Sequence, residues 1–186
     1  MLERMLSDFA HWLAAQQGSI NLHESYYMWN WMESTHVLFL MISLGMLLII
    51  DLRMLGLCFT DIPASKVADR LGKPMFFGFA IMVITGLLVF YSVPVRYEHS
   101  IWFRIKFILL IAAAINAILF HRHMNRSVAT WDTDKKPPKR TRVAAALSIS
   151  LWVGIVVCGR FIAYDWFDCG PDLSPFMTWA TGCNIQ

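Results

Sequence analysis

The chain is too apolar and too sparsely charged for an ordinary soluble domain. Of its 186 residues, 57% are hydrophobic and 16% are charged, against about 45–50% and about 25% in soluble proteins. A formal net charge of +3 gives no general case for nucleic-acid binding, and the length favours a single membrane domain over residues 1–186.

The first segment has the pattern of an amphipathic helix that lies flat on a membrane. Apolar residues recur at helical spacing between polar ones, and Gly18 is expected to end the helix. The segment lacks the continuous apolar stretch of a cleaved signal. We therefore predict an interfacial helix at residues 1–18.

Four further stretches are long and apolar enough to cross a bilayer, which takes about 20 residues of helix. These spans are predicted at residues 31–50, 75–93, 102–120 and 143–163. The expected fold class is an all-α membrane protein, a four-transmembrane-helix bundle with an N-terminal interfacial helix and a short external C-terminal tail.

Lysine and arginine are concentrated in two of the connecting loops. Residues 51–74 hold four of them and residues 121–142 hold seven, whereas residues 1–30 and 94–101 hold one each. By the positive-inside rule both rich loops are cytoplasmic. Both termini are then predicted on the periplasmic side of a bacterial inner membrane, with residues 122–142 as a solvated basic linker.

The placement of the cysteines agrees with this orientation. Cys169 and Cys183 lie in the tail at residues 166–186, which the topology puts in an oxidising compartment. A disulfide between them is therefore expected. Cys58 lies at the inner side and Cys158 within the fourth span, and both are expected to be unpaired.

His36 is the strongest functional candidate, because it lies one turn inside the first span and three residues after Glu33. An imidazole is too short to reach the headgroups from that depth, so it needs a polar partner or a cofactor. At about 1.5 Å of depth per residue, Lys106 and Arg160 lie at a similar level on the third and fourth spans.

Haem b is one group that would satisfy a histidine in this position. It takes axial imidazoles inside a membrane bundle and cations near its propionates. His36 supplies one imidazole, and His99, in the short loop after the second span, is the candidate for the second. The candidate propionate partners are Arg96, Lys106 and Arg160.

A second group of ionisable residues lies toward the inner ends of the spans. His121 is a candidate ligand for an inner haem, with Met54 or Met75 as its second ligand. Lysine and arginine near helix ends often snorkel to the headgroups, and Asp51 can pair with Arg53 or Lys73. Structural roles are therefore favoured for this group.

Copper is the alternative metal. Met28, Met32 and His36 follow each other at intervals of four residues and give two thioethers and an imidazole along one helical face. Soft sulfur ligands select Cu(I). The chain holds 11 methionines, however, so ordinary packing is the favoured explanation of such a stripe.

Several short motifs resemble an uncharacterised family of small bacterial four-helix membrane proteins. Two of them are Glu33-Ser-Thr-His36-Val-Leu and Asp51-Leu-Arg53-Met-Leu-Gly56. The further matches are Thr85-Gly86-Leu-Leu, Phe103 with Lys106, Asn116-Ala and Phe120-His121. The resemblance implies the four-helix fold and brings no activity. More distantly, the layout is similar to small b-type cytochromes and copper-resistance membrane proteins.

The sequence contains no nucleophile–base pair, phosphate loop or hydrolytic metal motif, which favours a redox or accessory subunit over a free-standing enzyme. We expect a haem b-binding subunit that passes electrons between a quinone or periplasmic donor and a partner protein. The alternatives are an accessory subunit without a cofactor and a copper-handling membrane protein. Expected partners are membrane lipid and further subunits or a second copy of the chain.

Overall fold

The computed structural model describes residues 2–164, 174–181 and 183, and the regular structure in this part of the chain is helical. A short 3-10 turn, Val128–Thr130, follows the sixth α-helix. The α-helices are α1 (Leu2–Ala14), α2 (Gln17–Glu24), α3 (Tyr26–Leu55), α4 (Ala64–Ser92), α5 (Pro94–Glu98), α6 (Ile101–Ser127), α7 (Lys139–Tyr164) and α8 (Pro175–Thr181).

Helices α3, α4, α6 and α7 are long and apolar enough to cross a membrane. The prediction of an all-α membrane protein with four apolar spans is thereby confirmed. Each helix is longer than its predicted span, because polar residues continue the helix beyond the apolar stretch. Helix α4 extends furthest: it begins at Ala64 and runs through Pro74, where proline would ordinarily mark a helix boundary.

The N-terminal segment forms two helices where one was predicted. Helix α1 ends at Ala14, and Gly18 lies inside α2, so the prediction that Gly18 ends the first helix is wrong. A Cβ atom on Gly18 would lie 2.7 Å from the Tyr91 hydroxyl oxygen. The Ser19 hydroxyl donates a hydrogen bond to the Tyr91 carbonyl oxygen over 2.7 Å. Glycine therefore permits the close approach of α2 to the end of α4.

The exposed face of α1 keeps the amphipathic character that the sequence predicts. Ala10 is buried, and α1 packs against α5. The large apolar side chains that α1 leaves exposed are Met5, Leu6, Phe9 and Trp12. Such a stripe is typical of a helix at a membrane interface.

The chain divides into two compact units, and each of the four long helices contributes to both. Unit one consists of the described residues of Met1–His36, Val83–Phe107 and Val156–Gln186. Its aromatic side chains pack closely: the Phe90 and Phe103 rings are 5.6 Å apart, and the Tyr97 and Phe103 rings are 5.3 Å apart.

Unit two consists of Val37–Met82 and Ile108–Ile155. Its buried core brings parts of the four long helices together with the segment before α7. The core residues are Ile50, Met54, Ala64, Val67, Met124, Trp131 and Ala145. Because Trp131 and Pro137 are buried, the segment predicted to be a solvated linker is packed against the protein over part of its length.

The C-terminal tail is described only in part. Cys169 lies outside the described residues, so the disulfide between Cys169 and Cys183 stays a prediction. Cys58 is exposed, Cys158 is buried, and both are free thiols, as the sequence predicts.

Candidate functional site

The His36 side chain points from α3 toward α4. Its Nδ1 atom lies 3.2 Å from the Thr85 hydroxyl oxygen, within hydrogen-bonding distance. A Cβ atom on Gly86 would lie 3.0 Å from the His36 Cε1 atom and 3.4 Å from its Nδ1 atom. The missing side chain of Gly86 therefore makes room for the imidazole, and the ring faces a neighbouring helix.

His99 lies at the end of α5 and contacts α8. Its Nδ1 atom is 3.1 Å from the Thr181 carbonyl oxygen. A carbonyl oxygen can only accept, so the Nδ1 atom is the donor in this hydrogen bond. In the neutral ring the lone pair is then on Nε2, and a lone pair on a ring nitrogen is what a metal ligand requires.

Arg96 and Lys106, two half-buried cations of unit one, have distinct surroundings. Arg96 donates from one terminal nitrogen to the carbonyl oxygens of Ile162 and Ala163, over 3.3 Å and 3.4 Å. Lys106 lies beside α7, where its Nζ atom is 3.5 Å from the position that a Cβ atom on Gly159 would take. Arg96 therefore connects α5 to the end of α7, whereas Lys106 lies against α7.

Arg160 is directed differently from Arg96 and Lys106. Its side chain is exposed, its guanidinium lies 4.3 Å from the centre of the Tyr164 ring, and it hydrogen-bonds the Tyr164 hydroxyl. Arg160 therefore contacts a residue one turn along its own helix. The predicted depth of Arg160 along α7 does not determine the direction in which its side chain points.

Glu33 is exposed, and it acts electrostatically on Tyr97. Burial raises the pKa of the Tyr97 phenol above its ordinary value, the Arg96 cation lowers it, and the Glu33 carboxylate raises it further. Glu33 and Arg96 are thus close enough to unit one's aromatic cluster to influence a titrating group there.

The structure brings most of the predicted site residues into one unit. Those in unit one are Glu33, His36, Arg96, His99, Lys106 and Arg160. His121 belongs to unit two and is exposed. For the copper alternative, Met28 is exposed whereas Met32 is buried. Within the described residues, three or more His, Cys, Asp or Glu side chains do not converge as a metal-binding group would.

Arg53 has a larger structural role than the sequence predicts. Its side chain is 0% exposed, where a snorkelling arginine would reach the headgroups. The Nε atom donates to the Ile62 carbonyl oxygen over 2.8 Å, and one terminal nitrogen donates to the carbonyl oxygens of Asp132 and Asp134 over 3.3 Å and 3.2 Å. Arg53 thus ties together the loop after α3 and the segment before α7.

Two neighbours of Arg53 strengthen the same connection. Gly56 has a positive φ of 77°, and a Cβ atom there would lie 2.7 Å from the Lys135 carbonyl oxygen. The Asp132 carboxylate accepts hydrogen bonds from the backbone amide and the hydroxyl of Ser65, both 2.7 Å long, and so caps the start of α4. Arg53 and Gly56, which make these contacts, both belong to the sequence motif Asp51-Leu-Arg53-Met-Leu-Gly56.

Asp51, the first residue of that motif, is buried and hydrogen-bonds Ser148 on α7. The predicted pair of Asp51 and Arg53 is not formed. The Arg53 donors described above contact backbone carbonyl groups instead. Both residues contribute instead to separate polar contacts inside unit two.

These features define a multi-pass α-helical membrane protein in which most of the predicted site residues lie in one unit. The chain belongs to DUF6644, a family of unknown function, whose model matches residues 18–165. The match runs from α2 to the end of α7, in agreement with the resemblance to an uncharacterised family. Comparison with curated proteins and with solved structures finds no match.

Proposed function

We propose that the protein is a membrane subunit that binds haem b and carries electrons between a quinone or periplasmic donor and a partner protein. The observation that carries the proposal is that His36 and His99 lie in the same unit and that each has a polar partner at Nδ1. A histidine that ligates a metal usually has its other ring nitrogen held in this way, which orients the ring.

The donor chemistry of these residues suits this cofactor. His36 and His99 would ligate the iron, and Arg96 and Lys106 would neutralise the propionates. When bound, haem b supplies reversible one-electron transfer. The protein would orient the two imidazoles through Thr85 and the Thr181 carbonyl group and would surround the site with the aromatic side chains of unit one.

The proposed location is a bacterial inner membrane, with both termini on the periplasmic side and the loops 51–74 and 121–142 in the cytoplasm. The lysine and arginine distribution supports this orientation. In that compartment a disulfide between Cys169 and Cys183 would form. A quinone would have access from the membrane, and the electron acceptor would be a further subunit or a second copy of the chain.

An accessory subunit without a cofactor is the second candidate. The observation that favours it is the contact between His36 and Thr85, which gives the imidazole a polar partner within the protein. A hydrogen bond of this kind connects two membrane helices without any prosthetic group.

An optical spectrum of the purified full-length protein separates these functions. The haem proposal predicts a strong Soret band that His36→Ala and His99→Ala each diminish. His11→Ala is the matched control, because His11 is an exposed histidine on α1, and it should leave the band unchanged. His121→Ala tests the inner site.

The other outcomes are equally specific. A colourless protein that co-purifies with other subunits would favour the accessory role, and stoichiometric copper lost on Met32→Leu would favour copper handling. A Soret band that survives both His36→Ala and His99→Ala would refute the proposed ligands.

A further inference from the structure

The segment that leads into α7 carries a dense group of exposed cations. Five of the eight residues at 135–142 are basic, and their side chains are exposed. They are Lys135, Lys136, Lys139, Arg140 and Arg142. Because α7 begins at Lys139 and is long and apolar enough to cross a membrane, these cations lie at the depth of the lipid headgroups.

Local helix energetics do not explain these cations. The first turn of α7 contains no acidic residue and begins Lys-Arg-Thr-Arg. Basic side chains at the N-terminus of a helix are unfavourable, since the N-terminus carries the positive end of the helix dipole. A negatively charged group outside the helix would relieve this repulsion. The positive-inside rule explains on which side of the membrane these cations lie. It does not require that the segment carrying them be held rigidly.

The arrangement is held rigidly by buried contacts. Arg53 binds the carbonyl oxygens of Asp132 and Asp134, directly before the first cation. Pro137, between Lys136 and Lys139, is buried. A basic segment that is ordered before it meets its ligand loses less conformational entropy on binding than a flexible one.

Exposed apolar side chains adjoin the cations. The loop after α3 leaves Leu57 68%, Phe59 54% and Ile62 40% exposed. Phe59 has a φ of 55°, in the left-handed region that costs free energy for a residue with a bulky side chain. An ion pair of 3.6 Å between Lys135 and Asp61 connects this loop to the basic segment.

We propose that these residues form a binding site for an anionic phospholipid. The basic–apolar patch consists of Leu57, Phe59, Ile62, Lys135, Lys136 and Lys139. Its cations would bind the phosphate of the headgroup, and Leu57 and Phe59 would insert at the boundary with the acyl chains. Apolar side chains beside lysines are typical of surfaces that bind anionic membranes. The patch lies in unit two, and its assignment does not depend on haem binding.

The test is a titration of the detergent-purified full-length protein with dioctanoyl phosphatidylglycerol and, separately, dioctanoyl phosphatidylcholine, with bound lipid counted by native mass spectrometry. We expect the anionic lipid to bind at least about fivefold more tightly at low salt, a preference that falls as salt screens the charges. Lys135→Gln with Lys136→Gln should weaken binding of the anionic lipid by roughly fivefold per cation removed.

Two further variants separate charge from fold and from apolar insertion. Lys135→Arg with Lys136→Arg keeps the charges and should keep the preference. Phe59→Gly suits the left-handed backbone, so the fold should persist while both lipids bind more weakly. Equal binding of the two lipids by the wild type would overturn the proposal. So would an unchanged preference in the glutamine variant, or full displacement of the lipid by an equal concentration of inorganic phosphate.

Discussion

The His36 imidazole on α3 and the Thr85 hydroxyl on α4 meet at 3.2 Å. This contact connects two membrane-spanning helices through polar groups, where lipid offers no competing water. It bears on both proposed functions, since it orients a ligand imidazole in one and stabilises helix association in the other. Removing the hydroxyl tests the contact directly.

Thr85→Val should destabilise the protein by about 0.6 kcal/mol, the average for hydrogen bonds between membrane helices. Valine keeps the shape of threonine, so the loss reports the hydrogen bond. The measurement is a double-mutant cycle with His36→Ala, read from unfolding in mixed micelles. Thr85→Ser keeps a hydroxyl and serves as the control. A coupling energy of zero between positions 36 and 85 would show that the contact contributes nothing.

Gly86→Ala should displace the His36 ring, because the new Cβ atom would lie 3.0 Å from its Cε1 atom. We expect a cost of about 1–3 kcal/mol, typical of overpacking, together with a weakened Soret band if haem is bound. Gly72→Ala is the matched control on the same helix, since a Cβ atom there meets nothing within 4 Å. Equal unfolding midpoints for the two variants would contradict this interpretation of Gly86.

The contrast between His36 and Arg160 shows how far the sequence predicts the site. Hydropathy and helical rise predict the level of both residues along their helices, because both quantities depend only on position along the chain. The direction of each side chain depends on how the helices are rotated and paired. The His36 side chain contacts Thr85 on α4, whereas the Arg160 side chain contacts Tyr164 on its own helix. The polar partner of His36 was predicted, but its identity was not.

Arg53 illustrates a different limit. The rule that arginines near helix ends snorkel describes a single helix in lipid, without neighbouring loops. The acceptors of Arg53 include the carbonyl oxygens of Asp132 and Asp134, 79 and 81 residues away in the chain. A buried arginine of this kind can be inferred only when the folded path of those residues is known. The linker that was predicted to be solvated is anchored for the same reason.

Arg53→Ala should destabilise unit two strongly, by at least about 3 kcal/mol, because three carbonyl groups lose their donor and the buried side chain leaves a cavity. The segment before α7 should also be released, so trypsin should cleave faster after Lys135 in open membrane vesicles. Arg70→Ala is the control, since Arg70 is exposed and its loss should change stability by less than about 0.5 kcal/mol. An unchanged cleavage rate in Arg53→Ala would exclude the anchoring role.

Cys58 provides a test of the proposed orientation, because it is exposed in the loop between α3 and α4. In a protein with Cys158→Ala, Cys169→Ala and Cys183→Ala, Cys58 is the remaining thiol. If that loop is cytoplasmic, a membrane-impermeant maleimide should leave Cys58 unlabelled in intact cells and label it after permeabilisation. A second protein with Cys58→Ala, Cys158→Ala and Cys169→Ala retains Cys183, which should be labelled from outside. Cys58 labelling in intact cells together with protection of Cys183 would reverse the orientation, since the two thiols are predicted on opposite sides of the membrane.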